Sequence, residues 1–279
     1  MSGTRWRIQH RTAYAYLAPA RDSFNEVRLK PLSNAHQTVE SFVLTITPFA
    51  PVRQYHDFYS NCVHHFEIPS PHASLVIESR SLVLAHPPPP LPNETATAPL
   101  AAIPALAKAS DCFDYLGASR FVDVEAETWR LAVDATVGIT DAWQAAQALM
   151  HFVHGHLAYK PASTHVHTPL RDVLEKRRGV CQDFAHVMLG LCRALKIPAR
   201  YVSGYLAVEK ARATHAWVEI WLPTIGWLAL DPTHNKQTDE TYIKIGAGRD
   251  YADVPPVTGH YKGTMERKLE VEVQIEALA

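Results

Sequence analysis

The amino-acid sequence predicts an α+β protein in two parts. The first is β-rich and sandwich-like; in the second, helical segments are followed by strands. Three observations predict this. Apolar and polar residues alternate in short runs up to residue 85. A proline-rich break, "AHPPPPLPNETATAPLAAIP", then interrupts every regular pattern. Beyond it the apolar period lengthens to that of a helix and later returns to two, as where helices give way to a sheet.

Within residues 1–85, "ESFVLTITPF" alternates around Phe42, Leu44 and Ile46, and "ASLVIESRSLVL" carries Leu75, Ile77, Leu82 and Leu84. Turn-rich pieces such as "KPLSNAHQ" and "FYSNC" separate the runs. Pro87 to Pro90 cannot continue a helix or a central strand, so residues 86–105 are expected to be an extended linker. Residues 106–279 form the second domain. In "TDAWQAAQALMHFVHGHL", Trp143, Ala146, Leu149 (or Met150) and Val153 recur at helical spacing, with Thr140 or Asp141 as N-cap. In "THVHTPLRDVLEKRRG", Thr168 is placed to cap, Pro169 to start and Gly179 to stop a helix. Cys181 to Leu195 follows as a helix with Phe184, Ala185, Met188, Leu191, Cys192 and Leu195 on its apolar face, ended by Lys196 and Pro198.

After Pro198 the sequence alternates again. "ARYVSGYLAV", "THAWVEIWL" and "GWLALDP" are predicted strands. In the second, Ala216, Val218, Ile220 and Leu222 share one face, and His215, Trp217, Glu219 and Trp221 the other. The closing "KLEVEVQIEAL" sets Leu269, Val271, Val273 and Ile275 against glutamates and Gln274, predicting a half-buried strand over 268–278 that pairs with the N-terminal domain.

The chain has 279 residues, a hydrophobic content of 47 % and a net charge of -1. That balance carries no electrostatic signature of nucleic acid or an anionic membrane, so neither is an expected partner. The opening "MSGTRWRIQHRTAYAY" has no apolar signal region, and "APLAAIPALA" is too short to span a bilayer. Four cysteines without a CxxC pair are the usage of a cytoplasmic protein with free thiols.

Cys181 opens a helix just after Arg177, Arg178 and Gly179. A helix N-terminus gathers unpaired N–H groups and the positive end of the dipole, and it stabilises a thiolate. Cys192, on the apolar face of the same helix, is a packing cysteine. A nucleophile needs a base, and a base needs an orienting group. His215 begins one predicted strand and Asp231 ends the next. A hairpin around "LPTIGW" sets the imidazole beside the carboxylate, leaving the second ring nitrogen for the thiolate.

The blocks "RRGVCQDFAHVMLGLCRALKIPARYVSGY", "THAWVEIWLPTIGWLALDPTHN" and "GRDYADVPPVTG" resemble the bacterial transglutaminase-like proteins. "TAYAYLAPARDSFNEVRLKP" resembles the β-rich N-terminal domain that accompanies them. The resemblance implies a papain-like core, with Cys181 as nucleophile, His215 as base and Asp231 as orienter. It implies a protein or peptide substrate and no cofactor. The reaction implied is attack on an amide carbonyl to give a thioester, followed by hydrolysis, the expected outcome because the sequence shows no recognisable amine-acceptor site, or alternatively by transamidation. Tyr159 and the Gln182 backbone N–H are the candidates for supporting the oxyanion.

Competing readings attach to several residues. Asp183 and His186 either tune the site or cap and surface the helix. Trp217, Trp221 and Trp227 are core or cleft wall. His151, His154, His156, His165 and His167, among sixteen histidines, raise a zinc hypothesis. No HExxH pattern supports it, and no bound metal is expected. A binding protein on the same fold is the non-enzymatic alternative.

Overall fold

The computed structural model describes residues 3–88, 98–108, 110, 112–166, 168–207, 213–223, 225–264 and 266–278. The middle of the expected linker and His167 lie outside the described residues.

The N-terminal part contains β1 (Thr4–Val27), β2 (Gln37–Thr47), β3 (Val52–His56), β4 (Cys62–Ile68) and β5 (His72–Ala85). Its organising element is β1, a 24-residue strand. The first half of β1 pairs with β5, and the register breaks between Ala15 and Ala20. The second half pairs with β4. One strand thus serves two halves of a curled sheet of order β2-β5-β1-β4-β3. Ile46, Phe66, Leu75 and Ile77 fill its interior; Ile46, Leu75 and Ile77 are inward positions of the alternation seen in the sequence, whereas Leu82 and Leu84 are only partly buried and Val83 between them is buried.

The helical layer comprises α1 (Ile103–Lys108), α2 (Ala126–Ala135) and α3 (Ala142–His156), then a two-residue strand β6 (Ala158–Tyr159), α4 (Leu170–Lys176), a second short strand β7 (Arg178–Gly179) and α5 (Cys181–Ala194). None of the described helices is long and apolar enough to cross a membrane. Asp141 caps α3, accepting from the N–H groups of Trp143 at 3.0 Å and Gln144 at 3.1 Å. The start of α4 differs from expectation. Pro169 is its N-cap, and the Thr168 hydroxyl accepts from the His165 N–H instead. Its stop differs too: Arg177 takes the left-handed conformation at φ 47°, while Gly179 lies in β7, paired with Tyr159.

The sheet of the second part has the order β11-β10-β9-β8-β12, built from β8 (Ala199–Leu206), β9 (His215–Leu222), β10 (Gly226–Asp231), β11 (Lys236–Gln237) and β12 (Tyr242–Gly248). β9 and β10 form the hairpin around residues 222–226, pairing Trp221 with Trp227 and Val218 with Leu230. Helix α5 packs between this sheet and α2, α3 and α4. It is buried on every side from Asp183 to Ala194, not on one face alone. Its polar residues therefore need internal partners. Arg193, fully buried, donates to the carbonyls of Ala199, Gly117 and Arg249 and to the Ser119 hydroxyl.

Two last strands, β13 (Val257–Lys262) and β14 (Arg267–Leu278), return to the N-terminal part and pair with β1. In β14 only Val273 is buried; Leu269 and Val271 are exposed. The alternation marked a strand there, and β14 pairs along its length with β1. The N-terminal part also grips β12 through side chains. The Gln37 amide donates to the Lys244 carbonyl and accepts from its N–H, both at 2.8 Å. The Asn61 amide does the same at Ala247, at 2.9 and 2.8 Å.

Candidate active site

Cys181 is the first residue of α5 and is partly exposed. The helix start is built by Asp183, whose Oδ2 accepts from the Val180 N–H at 2.7 Å and from the Thr164 hydroxyl at 2.6 Å. Asp183 is thus a cap, the bland one of its two readings. Burial of this carboxyl, 2 % exposed, raises its pKa. The capping geometry explains Gly179: a Cβ there would lie 2.5 Å from the Asp183 Cβ and 2.6 Å from its Oδ2. Gly179→Ala should therefore displace the cap and the helix start with it, at a cost of roughly 1–3 kcal/mol. A paired measurement of denaturant midpoint and thiol alkylation rate checks this, since both should fall together.

The N–H groups of Cys181 and Gln182, in the first turn of α5, have no helical carbonyl four residues before them. The Gln182 side chain is used elsewhere, donating to the Val166 carbonyl at 3.2 Å. Tyr159 lies in β6, half exposed. Burial first and the charge of Cys181 next raise its phenol pKa. Tyr201 of β8, unremarked in the sequence, has the same relation to Cys181: burial first and the sulfur next hold its phenol well above the ordinary value.

His215 leads β9. Its Nε2–H donates to the Asp231 Oδ2 at 2.8 Å, and Cys181 acts on the same imidazole as hydrogen-bond partner and as charge. With Nε2 taken, Nδ1 is the nitrogen left for the sulfur. Burial works against protonation of His215, but the hydrogen bonds of Asp231 and Cys181 outweigh it and raise the pKa to about 9. The structure thus brings Cys181, His215 and Asp231 together as one chain of contacts.

Asp231 is completely buried and closes β10 before a tight turn in which Asn235 adopts φ 52°, a conformation asparagine tolerates. Its Oδ1 accepts from the N–H groups of Thr233 at 2.8 Å and His234 at 3.3 Å. Its Oδ2 accepts from His215, from His234 Nδ1 at 2.7 Å and from the Tyr242 hydroxyl at 2.7 Å. Burial pushes the carboxyl's pKa up, yet the bonds from His215 and His234 hold it below the usual carboxylate range.

Trp217 belongs to the wall of the site. Its indole stacks on His215, with centroids 6.2 Å apart, and meets Tyr242 edge-on at 5.4 Å. Gly204 makes room for it, since a Cβ there would lie 2.3 Å from the indole. Trp227 carries the Arg200 guanidinium 4.0 Å from its ring centroid. His186 accepts from the Tyr251 N–H at 3.2 Å and packs on Phe121 and Tyr201. The histidines of 151–166 do not converge: His154 bonds the Thr233 carbonyl and His156 stacks on Phe152. Among the described residues, metal-ligand spacing occurs at His215, Asp231 and His234, where the 2.7 and 2.8 Å separations are those of hydrogen bonds.

Sequence reading missed His234 and Tyr242. The signal for His234 was present in "LDPTHN", three residues beyond Asp231. Tyr242 had no local signal.

Comparison with known proteins places this geometry in context. Residues 130–232 match the transglutaminase-like superfamily, and residues 6–84 match the bacterial transglutaminase-like N-terminal region. An uncharacterised protein of Mycobacterium leprae is 35 % identical over 285 residues, covering 99 % of each chain. A protein-glutamine gamma-glutamyltransferase of Pseudomonas aeruginosa is 38 % identical over 101 residues, which is 32 % of this chain and 15 % of that one. In fold, the chain is similar to a crystal structure of a candidate cysteine protease from Cytophaga hutchinsonii. The TM-score is 0.85 at 20 % identity, covering 100 % of this chain and 92 % of that one. With the cysteine-led helix, the antiparallel sheet and both matched regions in order, the chain belongs to the bacterial transglutaminase-like family.

Proposed function

We propose that the protein is a thiol enzyme that transfers acyl groups from amide or peptide bonds, with hydrolysis as the principal outcome. The observation that carries this reading is the contact chain Cys181–His215–Asp231, with a buried carboxylate at its far end. The Cys181 sulfur attacks the carbonyl carbon, and the negative charge on oxygen is met by the N–H groups at the start of α5 and by the Tyr159 hydroxyl. Collapse of the tetrahedral adduct breaks the C–N bond, and the His215 proton leaves with the amine. Water, deprotonated by His215, then cleaves the thioester. An amine taking the place of water gives transamidation; the gamma-glutamyltransferase similarity favours keeping this second reading. Cytoplasmic location remains part of the proposal, supported by four free thiols.

The test is the pH dependence of iodoacetamide labelling. Cys181 should alkylate faster at pH 6 than a free thiol, and His215→Ala should remove the advantage. Labelling at the free-thiol rate, unchanged by His215→Ala, sinks the reading. Mass spectrometry of a thioester on Cys181 then separates hydrolysis from transfer, by adding a primary amine and asking whether it is incorporated.

A pH optimum follows from His215. Its folded pKa is raised from 6.5 to about 9. Whatever stability the protonated pair contributes is complete below about 6.5 and is lost as pH rises through about 9. Turnover should have its alkaline limb near pH 9, because the departing amine needs that proton. A limb two units lower would contradict the assignment of His215 as the proton donor.

A further inference from the structure

Orienting one imidazole takes one carboxylate oxygen. Asp231 Oδ2 receives three donors, from His215, His234 and Tyr242, all at 2.7–2.8 Å. The two imidazoles are 5.2 Å apart between centroids and nearly edge-to-face. They differ in setting: the His215 side chain is 11 % exposed and that of His234 is 45 % exposed. The second imidazole thus reaches from solvent to the buried carboxylate that holds the first.

We propose that His234 is a positioning residue for the acyl transfer, fixing Asp231 toward His215 and sharing its charge. The proposal rests on the functional reading of Cys181, His215 and Asp231 given above. A carboxylate oxygen with three donors gives each less than one with a single donor. His234 and Tyr242 therefore leave Asp231 oriented but partly neutralised. His215 then keeps enough proton affinity to form the ion pair with Cys181 and still releases the proton to the departing amine. Without the His234 donor, Asp231 turns more of its charge on His215, which holds its proton to higher pH.

The groups that act on His215 are Cys181 from α5, Asp231 from β10, His234 from the following turn and Tyr242 from β12. Lys236 lies 5.1 Å over the Tyr242 ring, and Asp239 acts on the Tyr242 phenol. Of these groups, substitution at His234 removes the imidazole and its bond to Asp231 and leaves the other side chains in the sequence unchanged.

The experiment compares His234→Leu with His234→Asn by the pH profile of Cys181 alkylation with iodoacetamide, in the whole chain. Asparagine places an N–H donor where Nδ1 sits, whereas leucine fills the space without one. The upper inflection of the profile, where His215 loses its proton, should move up by roughly 0.5–1 pH unit in the leucine variant, the size of losing a share of one charge-assisted hydrogen bond. In the asparagine variant it should return to the wild-type position. A thermal melt of each variant confirms that folded protein is being measured, and the exposed edge of His234 makes both substitutions tolerable. If the inflection stays in place in both variants, or moves equally in both, the proposal fails. If the wild-type profile itself is that of a free thiol, the functional reading fails first, so the two failures are distinguishable.

Discussion

Cys181→Ser will lower turnover by about 10⁴-fold or more, because a hydroxyl in that position lacks the acidity to form an ion pair with His215. The measurement is release of amine or ammonia from amide substrates, normalised to folded protein. His215→Ala should cost a similar factor. The double variant should be no worse than either single one, since the two residues act as a unit. What remains will come from the N–H groups at the start of α5 and from binding alone. If Cys181→Ser retains more than about a hundredth of wild-type turnover, thiol chemistry at this position is wrong, since loss of a nucleophile costs far more. Asp231→Asn is a milder probe of the same unit. It keeps the shape of the turn but removes the charge that raises the His215 pKa, so the alkaline limb should fall toward the ordinary imidazole value.

Glu219→Gln will destabilise the protein by about 3–5 kcal/mol, because it removes one partner from a buried charge cluster. Glu219 lies on β9, two strand steps from His215 on the same face. Its carboxylate accepts from Lys244 Nζ at 2.8 and 2.6 Å and from Arg200 Nε at 2.6 Å. Two cations thus share one buried anion, and glutamine would leave both without a counter-charge. Burial alone would raise the Glu219 pKa, but Lys244 and Arg200 outweigh it and hold the carboxyl at about 2. The stability it contributes is therefore present above its unfolded value of 4.5 and is lost as pH falls through about 2. At pH 7 the variant should melt roughly 10 °C lower. The gap should close as pH falls from 4.5 toward 2. A melting temperature within a degree of wild type at pH 7 would show that the cluster adds nothing.

The fold and the site were legible to different depths. The α+β architecture and the bacterial transglutaminase-like family were readable because the hydrophobic period changes sharply at the proline-rich break and the three sequence blocks keep their order. The partnership of His215 and Asp231 was readable because a short hairpin joins their strands, so the register is set locally by residues 222–226. Cys181 was readable because few residues separate one helix from the next. Gly179 was misread as a helix stop, since sequence does not reveal that the space beside it is filled by Asp183. Arg177 takes the left-handed position that the sequence offered to glycine, a choice fixed by the pairing of β7 with β6. The partners of Asp231 and Glu219 depend on distant strands. Tyr242 and Lys244 come from β12, which enters the sheet beside β8 and not beside β10. No local pattern carries that order.

The side-chain amides of Gln37 and Asn61 have a consequence for solubility. β12 is the last strand on its side of the sheet, and an outermost strand is a ready template for another chain to add to. Each amide offers one acceptor and one donor and pairs with a β12 residue as a neighbouring strand's peptide group would. The N-terminal part thereby terminates the sheet without extending it, using these two side chains and the Leu32 N–H, which donates to the Lys244 carbonyl at 3.0 Å, in place of a sixth strand. Loss of either amide would reopen that edge, so its cost would appear as concentration-dependent aggregation on storage or refolding as well as in the melting temperature.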